Sequence, residues 1–468
     1  MAETPADELK RARAELARLA DLERELVFWR ARAERAEALA DQWRTVKNRS
    51  LWKIFAAVDQ LRARLAPPDT RRERLALGTA RRAARALAPL ARPRRSGATE
   101  FKPVGHKDVL FVYDESGAWT LYRCDNQGEQ LEYVGMSSDI ARSTDVDLVP
   151  AVDHYDTFVL NRVQWSEDVA RFVDAARRAG KSVIFDTDDL IFERDLYLQF
   201  AMFLHDADEG VRKTWADRVD RYLKTLEACD RATVSTDPLA AHARRRVSRV
   251  DVVYNAVSSQ FVRHAEEALG GRSYAEQVAT GRDVTIGYLS GSAGHNRDFL
   301  EAADAVLSTL ETYARVKLLV VGFLELDHRF DRFQSRVTKI PKLAFGALPS
   351  VTARVDINLA PLERDNPFND CKSCVKYLEA GLVGVPTIAS ARSDFVRVIE
   401  SGRNGVLADR PSEWTRALGE LIESPEQRRT MGALAYEDVR EKHTTKARAS
   451  LLRGALAERS AEEMLGVH

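Results

Sequence analysis

The sequence is poor in the features that mark secreted and membrane-spanning proteins. Four cysteines in 468 residues are too few and too scattered for a disulfide framework. The first residues lack the basic and apolar segments of a signal peptide, and no run reaches the roughly 18 apolar residues of a membrane-spanning helix. We therefore expect a cytoplasmic protein with reduced thiols, and neither a standard secreted protein nor an integral membrane protein.

Net charge is also absent. Lysine and arginine together number 71, and so do aspartate and glutamate. The whole molecule therefore exerts no strong field on nucleic acid or anionic lipid, so any electrostatic function has to be local. With 45% hydrophobic and 30% charged residues, the composition is typical of a globular chain, and the length exceeds one compact core.

Apolar residues near the N-terminus follow a 3-4 spacing, with arginine and glutamate between them. They are Leu19, Leu22, Leu26, Trp29, Ala33, Ala36, Ala40 and Trp43. This spacing is typical of a coiled-coil seam, so we expect residues 9–43 to form a homo-oligomer. A single helix lying on its own protein is the alternative, because the seam is short and rich in alanine.

An amphipathic helix and a basic stretch follow, over residues 48–95. One helix face carries Leu51, Ile54, Phe55, Val58 and Leu61. Nine arginines between residues 71 and 95 accompany a single acid, Glu73. Such a segment suits an anionic membrane surface, at about 1 kcal/mol per basic residue, and would make the protein peripheral on the inner face of the cytoplasmic membrane. A solvated linker is equally open, whereas nucleic-acid binding is not expected without interleaved aromatic residues.

After Pro103, short apolar runs alternate with helical patterns in two series. The runs are 109–113, 157–160, 182–185, 232–235 and 252–254 in the first series, and 285–289, 317–321, 355–359, 386–389 and 405–407 in the second. Near-continuous apolar strands separated by helices predict parallel sheets covered on both faces. We therefore predict an α/β chain of two Rossmann-like domains, with a ligand cleft at the carboxyl ends of the strands.

The predicted domain boundaries follow these changes of pattern. They are 1–66 for the coiled coil and amphipathic helix, 67–100 for the arginine-rich linker, 101–275 for the N-terminal Rossmann-like domain, 276–440 for the C-terminal Rossmann-like domain, and 441–468 for a helix that packs back across the N-terminal domain.

The strongest chemical signal begins at Asn366-Pro-Phe-Asn-Asp-Cys-Lys-Ser-Cys-Val-Lys-Tyr-Leu-Glu. A helix capped by Asn369 or Asp370 and running to about residue 383 is expected. It would carry Lys372, Lys376 and Glu379 on one face, at i, i+4 and i+7. Two ammonium groups near the positive end of a helix suit a diphosphate, and the carboxylate suits a vicinal diol such as ribose. An exposed lysine–glutamate face is the alternative.

This segment resembles the retaining, sugar-nucleotide-dependent glycosyltransferases of group 1, or family 4, which have the GT-B fold of two Rossmann-like domains. Glu379-Ala and Gly384-Val-Pro match the second half of the family's common pattern, but Cys371 stands where its first glutamate falls. A bacterial polysaccharide-type subgroup has Asn-Pro-Phe-Asn-x-x-Lys-Ser-x-x-Lys-x-x-Glu, which residues 366–379 reproduce. The donor-binding residues that the resemblance implies here are Asn369, Lys372, Ser373, Lys376 and Glu379. It also implies that residues 101–275 bind the acceptor and residues 276–440 bind the donor.

The two cysteines of this segment, Cys371 and Cys374, have the spacing of a redox or half-zinc motif. Zinc needs two further ligands, and no thioredoxin-like setting surrounds the pair. We therefore expect no metal and no disulfide here.

A glycine-containing loop follows the first strand of the second domain. Its glycines let the backbone approach a ligand, and a helix opening at about Asn296 would present free amides. The resembled subgroup has Ser-Gly-x-x-x-His-x-x-Asp-Phe at this point, which implies contacts with the donor phosphates. The candidates are Gly291, Ser292, Gly294, His295 and Arg297.

Two acceptor-side candidates lie at strand ends of the first domain. Asp186, Asp188 and Asp189 follow the run at 182–185, where acceptor binding, a metal-bridged diphosphate and simple helix capping are all open interpretations. We favour acceptor binding, since basic residues already serve the diphosphate. Gly117 and Arg123 belong to a segment similar to the family's first acceptor-side loop.

Residues and resemblance together predict a retaining, metal-independent hexosyltransferase without a cofactor. It would move a sugar from a nucleotide-diphosphate donor to a glycan or lipid-linked acceptor in surface polysaccharide assembly. Lys376 and Arg297 would stabilise the leaving diphosphate, and Asp188 or His295 would assist as auxiliary groups. A coiled-coil assembly protein with degenerate transferase domains is the leading alternative, and a metal-dependent transferase using Asp186 and Asp188 is another.

Overall fold

The computed structural model describes residues 101–201, 204, 207–270, 283–291 and 296–457. The coiled-coil, amphipathic-helix and arginine-rich predictions for residues 1–100 lie outside these residues, as do the donor-site candidates Ser292, Gly294 and His295. Within the described part of the chain, each helix is too short or too polar to cross a lipid bilayer.

The first lobe is built on a six-stranded parallel sheet with the order β2-β1-β3-β4-β5-β6. Its strands are β1 Lys107–Tyr113, β2 Ser138–Arg142, β3 Tyr155–Asn161, β4 Ser182–Thr187, β5 Arg231–Val234 and β6 Val250–Val252. Its helices are α1 Ala118–Thr120, α2 Asn126–Tyr133, α3 Leu148–Ala151, α4 Glu167–Arg178, α5 Arg194–Phe200, α6 Glu209–Ala228 and α7 Asp237–Ala243. A π-helical turn, Leu121–Asp125, joins α1 to α2, and a 3₁₀ turn, Val152–His154, follows α3.

The second lobe has a six-stranded parallel sheet with the order β12-β11-β10-β7-β8-β9. Its strands are β7 Val284–Ser290, β8 Val316–Gly322, β9 Val337–Ile340, β10 Ile357–Ala360, β11 Thr387–Ser390 and β12 Val406–Ala408. The helices are α8 Ser259–Leu269, α9 Asn296–Thr312, α10 Leu348–Thr352, α11 Pro367–Asp370, α12 Val375–Gly381, α13 Phe395–Val398, α14 Pro411–Glu423, α15 Pro425–Lys442 and α16 Thr445–Leu456. The 3₁₀ segments are His328–Arg336 and Phe345–Ala347.

Each of the ten predicted apolar runs overlaps a strand, so the prediction of two Rossmann-like domains is confirmed. The sequence missed β2 and β9. Both are edge strands, and each exposes polar residues on at least one side. A strand that packs only partly against the core does not need the apolar run that identifies a central strand.

Hydroxyl N-caps set the start of several helices. The side chains of Ser166, Thr236 and Ser258 each accept a hydrogen bond from the backbone N–H three residues ahead. These bonds satisfy donors that a helix end leaves free. Because Thr236 follows β5 directly, its cap places α7 at the carboxyl edge of the first sheet.

The C-terminal helix α16 returns to the first lobe, where it lies against α2. Arg231, at the start of β5, donates hydrogen bonds to the carbonyl groups of Ala455, Leu456 and Ala457. A guanidinium group therefore satisfies the free carbonyls at the end of α16 and fastens that helix to the first sheet.

A buried ion pair joins the π-helical turn that precedes α2 to strand β4. The Arg123 Nη2 and Nε atoms lie 2.6 and 3.0 Å from the two carboxylate oxygens of Asp186, and both side chains are 0% exposed. Asn161 and Thr233 also donate to Asp186, at 2.8 and 2.7 Å. Asn255 accepts from Arg123 at 3.1 Å. The pair is thus fully hydrogen-bonded inside the first lobe.

Breaking this pair from one side should destabilise the fold strongly. We expect Asp186→Ala to lower the free energy of unfolding by about 3–5 kcal/mol, because the Arg123 guanidinium would stay buried without its counter-charge. Asp168→Ala is the matched control: Asp168 pairs with Arg171 on the surface, where its side chain is 73% exposed, and its loss should cost less than about 1 kcal/mol. Urea unfolding followed by circular dichroism measures both, and equal losses would contradict this account.

Candidate functional site

The predicted long helix of the strongest motif is interrupted in the structure. Asn366 caps the short helix α11 by accepting hydrogen bonds from the N–H groups of Phe368 and Asn369, at 3.1 and 3.3 Å. The chain then leaves helical geometry over residues 371–374 and resumes it in α12. The prediction of one helix capped by Asn369 or Asp370 is therefore wrong.

Side chains from elsewhere in the fold account for this interruption. The Thr236 hydroxyl donates to the Cys371 carbonyl at 3.0 Å, and the Ser393 hydroxyl donates to the Lys372 carbonyl. Carbonyl oxygens that a continuous helix would pair internally are thus bonded to side chains instead. The interrupted segment is held by tertiary contacts that the local sequence does not contain.

The interrupted segment also bridges the two lobes. Besides Thr236, the first lobe contributes Asn255, whose side-chain amide donates to Ser373 Oγ at 2.9 Å. The Cys371 side chain packs in the hydrophobic core of the first lobe. Both thiols of the Cys-x-x-Cys are free and buried, and burial raises the pKa of Cys371 to about 12. The residue that replaces the family's first glutamate therefore serves as an apolar contact between lobes.

Lys372 lies in this segment, so it does not share a helix face with Lys376 and Glu379, which corrects the expected i, i+4, i+7 arrangement. Its ammonium group bonds Asp189 Oδ1 of the first lobe at 2.7 Å and lies 4.5 Å from the ring centre of Phe368. Burial opposes ionisation of Asp189, but the charges of Lys372 and Arg162 outweigh it and lower the carboxyl pKa to about 2. The donor-site lysine thus forms an ion pair across the cleft.

Lys376 is the one lysine of the motif whose charge is not neutralised by a direct partner. Its Nζ atom is buried, and among the described residues none accepts a hydrogen bond from it. The ammonium lies 4.6 Å from the ring centre of Tyr288 on β7. Burial lowers the pKa of Lys376, while the charges of Asp298 and Glu379 oppose that shift. An ammonium in this position is a ready binding group for an anion, because a buried charge without a partner is costly.

Glu379, one turn along α12, reaches toward the first lobe. Tyr122 donates its phenolic hydrogen to Glu379 Oε1 at 2.8 Å. Burial raises the pKa of Glu379 to about 7, although Tyr122 and Lys376 both favour the ionised form. A carboxyl group with this pKa changes its charge near neutral pH.

Gly291 and Arg297 lie on either side of the loop that follows β7. A side chain added at Gly291 would meet no described atom within 4 Å. Arg297, in the first turn of α9, is half exposed and pairs with Glu363. Asn369 donates to Asp298 Oδ1 at 2.6 Å and is buried, so it fixes α11 against α9 in this structure. Its contact with a donor stays a prediction.

At the opposite edge of the cleft, Arg162 organises the carboxylates of the first lobe. Its guanidinium donates to Asp188 and to Asp189 and lies 4.6 Å from the ring centre of Trp119. Arg162 also has a φ of 50°, a conformation that costs a non-glycine residue on the order of 1 kcal/mol. The two carboxylates hold the Arg162 side chain in this position. Their charges raise the pKa of Arg162 against the opposing effect of burial.

Three predicted acceptor residues have structural roles in this structure. Arg123 and Asp186 are buried and bonded to each other, so neither side chain is open to an acceptor, and the expected contact is corrected. Gly117 precedes α1, and a side chain there would come within 2.4 Å of the Trp119 ring. Glycine is therefore required at this position by packing, and Trp119 is the side chain that it brings to the cleft.

The sequence analysis missed Tyr122 and Asn255, which contact the donor-side motif from the first lobe. Tyr122 directly precedes Arg123, which the motif comparison selected. Both side chains are buried in a π-helical turn, from which Tyr122 bonds Glu379 of the second lobe and Arg123 bonds Asp186 of the first. Sequence spacing alone does not reveal such a turn.

Known proteins share part of this sequence and the two-lobed fold. Residues 297–454 match the family model described as glycosyl transferase-like. No curated protein matches the chain. Among solved structures it is similar to HepE from Anabaena in complex with UDP and glucose, with 13% identity and a TM-score of 0.51 over 75% of this chain and 99% of that one.

Two further structures show the same similarity. Sucrose-phosphate synthase from Thermosynechococcus elongatus has 15% identity and a TM-score of 0.51, over 75% of this chain and 98% of that one. A glycosyltransferase from Rickettsia africae has 10% identity and a TM-score of 0.50, over 76% and 100%. At such identities the likeness establishes the fold, which is the two-lobed GT-B fold. The chain therefore has the GT-B fold, and residues 297–454 of its second lobe and C-terminal helices match a glycosyl transferase-like family.

Proposed function

We propose that this chain transfers a sugar, with retention of anomeric configuration and without a metal ion, from a nucleotide-diphosphate donor bound by the second lobe. The observation that carries the proposal is the buried ammonium of Lys376, which no described residue neutralises by a hydrogen bond. A diphosphate leaving group gains negative charge as the glycosidic bond breaks. A fixed cation in a site with little water stabilises that charge without having to reorganise.

Arg297 and Lys372 complete the anion site in this proposal. Arg297 is half exposed at the start of α9, where it can exchange Glu363 for a phosphate oxygen. Lys372 lies between the lobes and is engaged with Asp189, so a donor phosphate would compete with that carboxylate. Gly291, Ser292, Gly294 and His295 stay candidates for the phosphate-facing loop, and Ser373 for a hydroxyl contact beside Lys372.

Glu379 is the proposed contact of the ribose hydroxyls. An ionised carboxylate accepts hydrogen bonds from both hydroxyls of a vicinal diol, and Tyr122 orients the group from the first lobe. The description of HepE as a complex with UDP and glucose supports a nucleotide-sugar donor for a chain of the same fold. Sequence resemblance supports a hexose as the transferred sugar and retention as the outcome.

The acceptor would enter from the first lobe, beside Trp119, Asp188 and Asp189. Asp188 is the auxiliary group that stays closest to the expected role, because its carboxylate accepts a hydrogen bond from Arg162 at 3.0 Å beside the cleft. The leaving phosphate is the proposed main base, as the resemblance implies. A glycan or lipid-linked acceptor of surface polysaccharide assembly, on the inner face of the cytoplasmic membrane, would fit the basic segment 48–95 and oligomerisation through residues 9–43.

The charges already present support the proposed metal independence. Each carboxylate of the Asp186, Asp188 and Asp189 group is bonded to a guanidinium or ammonium group. A divalent cation at Asp186 and Asp188 would have to displace two arginines, one of them fully buried. The basic residues of the second lobe supply the charge that a metal would otherwise bring to the diphosphate.

Lys376→Met should abolish turnover and leave the fold intact. We expect the rate constant kcat to fall about 100- to 1000-fold, since the cation that stabilises the leaving group is removed. The unfolding midpoint should not fall, because the substitution removes a buried charge without a partner and keeps the length of the side chain. Sugar transfer from UDP-glucose and thermal unfolding measure the two effects.

The control for this substitution is Lys446→Met, at an exposed position on α16, which should leave both quantities unchanged. Turnover near that of the wild type in Lys376→Met would sink the assignment. An inactive assembly protein would instead show no transfer and no sugar-nucleotide binding in the wild type.

Donor affinity should depend on pH through Glu379. As the pH rises through about 7, Glu379 loses its proton and becomes the better acceptor for two hydroxyls, so affinity for the nucleotide sugar should increase. At higher pH, still below the ordinary lysine value of 10.5, affinity should fall again, because burial lowers the pKa at which Lys376 loses its charge. Calorimetric titration at several pH values measures both limbs.

Glu379→Gln is the matched variant, since it keeps the shape of the side chain and cannot titrate. Its affinity should be weaker than that of the ionised wild type and flat through pH 7. If the affinity of Glu379→Gln for the nucleotide sugar still falls as the pH is lowered through 7, another group controls the binding.

Removal of divalent ions should not change the reaction. We expect transfer rates in EDTA and in added Mg²⁺ to agree within about twofold, because arginine and lysine neutralise the diphosphate. Complete loss of activity in EDTA, restored by Mg²⁺, would contradict this mechanism and favour the metal-dependent alternative through Asp186 and Asp188.

A further inference from the structure

A cavity of about 510 Å³ lies between α13, with its following loop, and the carboxyl end of α15. Its charged walls carry four cationic side chains and two carboxylates. The cations are Arg397, Arg403, Lys442 and Arg448, and the carboxylates are Glu400 and Asp438. Asp394, just outside the lining, pairs with Arg397, so the cavity keeps an excess of one positive unit when His443 is neutral.

Arg448 accounts for much of that excess. Its side chain is buried, and among the described residues it forms no ion pair with a carboxylate. Nε donates to the Lys442 carbonyl at 3.0 Å, and Nη2 donates to His443 Nδ1 at 2.6 Å. Burial lowers the pKa of Arg448, and the nearby charge of Arg397 acts in the same direction.

The other cationic side chains of the cavity either share a carboxylate partner with further donors or form an ion pair at the exposed rim. Lys442 and His443 both contact Asp438, which also accepts from Tyr377, so one carboxylate serves three donors. Arg403 pairs with Glu400 at 3.3 Å on the exposed rim. A cavity wall with guanidinium groups at different depths and too few carboxylates favours an anion with several oxygens.

We propose that this cavity binds a phosphate-bearing small molecule, separately from the sugar-nucleotide cleft. Phosphate and diphosphate groups match the fork of donors on guanidinium groups, and the volume lies in the range of small-molecule sites. The buried Arg448 would meet the phosphate at the bottom of the cavity. Arg403 and Lys442 would close over it at the rim.

The cavity wall is bonded to the start of α12. Arg397 donates to Asp394 Oδ1 at 2.6 Å, and Asp394 Oδ2 accepts from the Cys374 N–H at 3.2 Å. Arg397 and Arg448 also lie 3.6 and 5.1 Å from the ring centre of Tyr254, which belongs to the first lobe. The proposed phosphate site thus lies where both lobes and the helix of Lys376 and Glu379 meet.

Titration calorimetry with inorganic pyrophosphate tests the proposal. The Lys376→Met variant serves as the background, because it weakens binding of pyrophosphate in the cleft and isolates the second site. We expect one site to persist in this variant. Adding Arg403→Gln and Lys442→Gln should weaken it at least about tenfold, since two of the four lining cations are lost. Both side chains lie largely at the surface, 49% and 62% exposed, so the fold should be retained.

The matched control adds Lys446→Gln and Arg453→Gln to the same background. These exposed residues of α16 do not line the cavity, and their loss changes the net charge equally. Unchanged pyrophosphate affinity in the control, with weaker affinity in the cavity variant, supports the site. Equal weakening in both variants, or no binding in Lys376→Met alone, overturns it whether or not the chain transfers sugar.

Discussion

The buried ammonium of Lys376 is the constraint on which the rest of the site depends. A positive charge inside a protein normally has a carboxylate or several carbonyl groups as partners. Here the ring centre of Tyr288 lies 4.6 Å away, and no described residue accepts a hydrogen bond from the ammonium. Burial of such a group costs free energy, which the fold tolerates because both sheets fix the surroundings. The position is useful only if an anion arrives, and the nearby Glu379 limits which anion by favouring one that also carries hydroxyl groups.

Contacts between the lobes shape the same site from the other side. Tyr122 bonds Glu379, Asp189 bonds Lys372, and Asn255 bonds Ser373, so three donor-side residues each have a first-lobe partner. None of these contacts is local in sequence. A nucleotide that enters would exchange some of them for contacts with its own phosphates and ribose. In the proposed function, donor binding and the arrangement of the lobes are linked through these bonds.

Much of the fold could be predicted from the sequence, because a central parallel strand buried on both faces must be apolar throughout. The ten such runs all overlap strands, whereas β2 and β9 escaped because edge strands tolerate polar residues. The helix at 296 was also placed correctly. The interruption between α11 and α12 escaped, because the Thr236 and Ser393 hydroxyls that bond its carbonyls lie more than a hundred and about twenty residues away in the chain.

The residue types of the site could be predicted from the sequence, but their arrangement in space could be predicted less well. Lys376 and Glu379 lie one turn apart on α12, as their spacing predicts, and their contacts with a donor stay a prediction. Arg123 and Asp186 were misassigned because a motif match does not tell a surface pair from a buried one.

The most direct measurement of the central claim is a crystal structure with a bound nucleoside diphosphate. The account predicts a β-phosphate oxygen at about 2.7–2.9 Å from Lys376 Nζ. A nucleotide bound elsewhere, with that ammonium still against Tyr288 and without a phosphate contact, would contradict it.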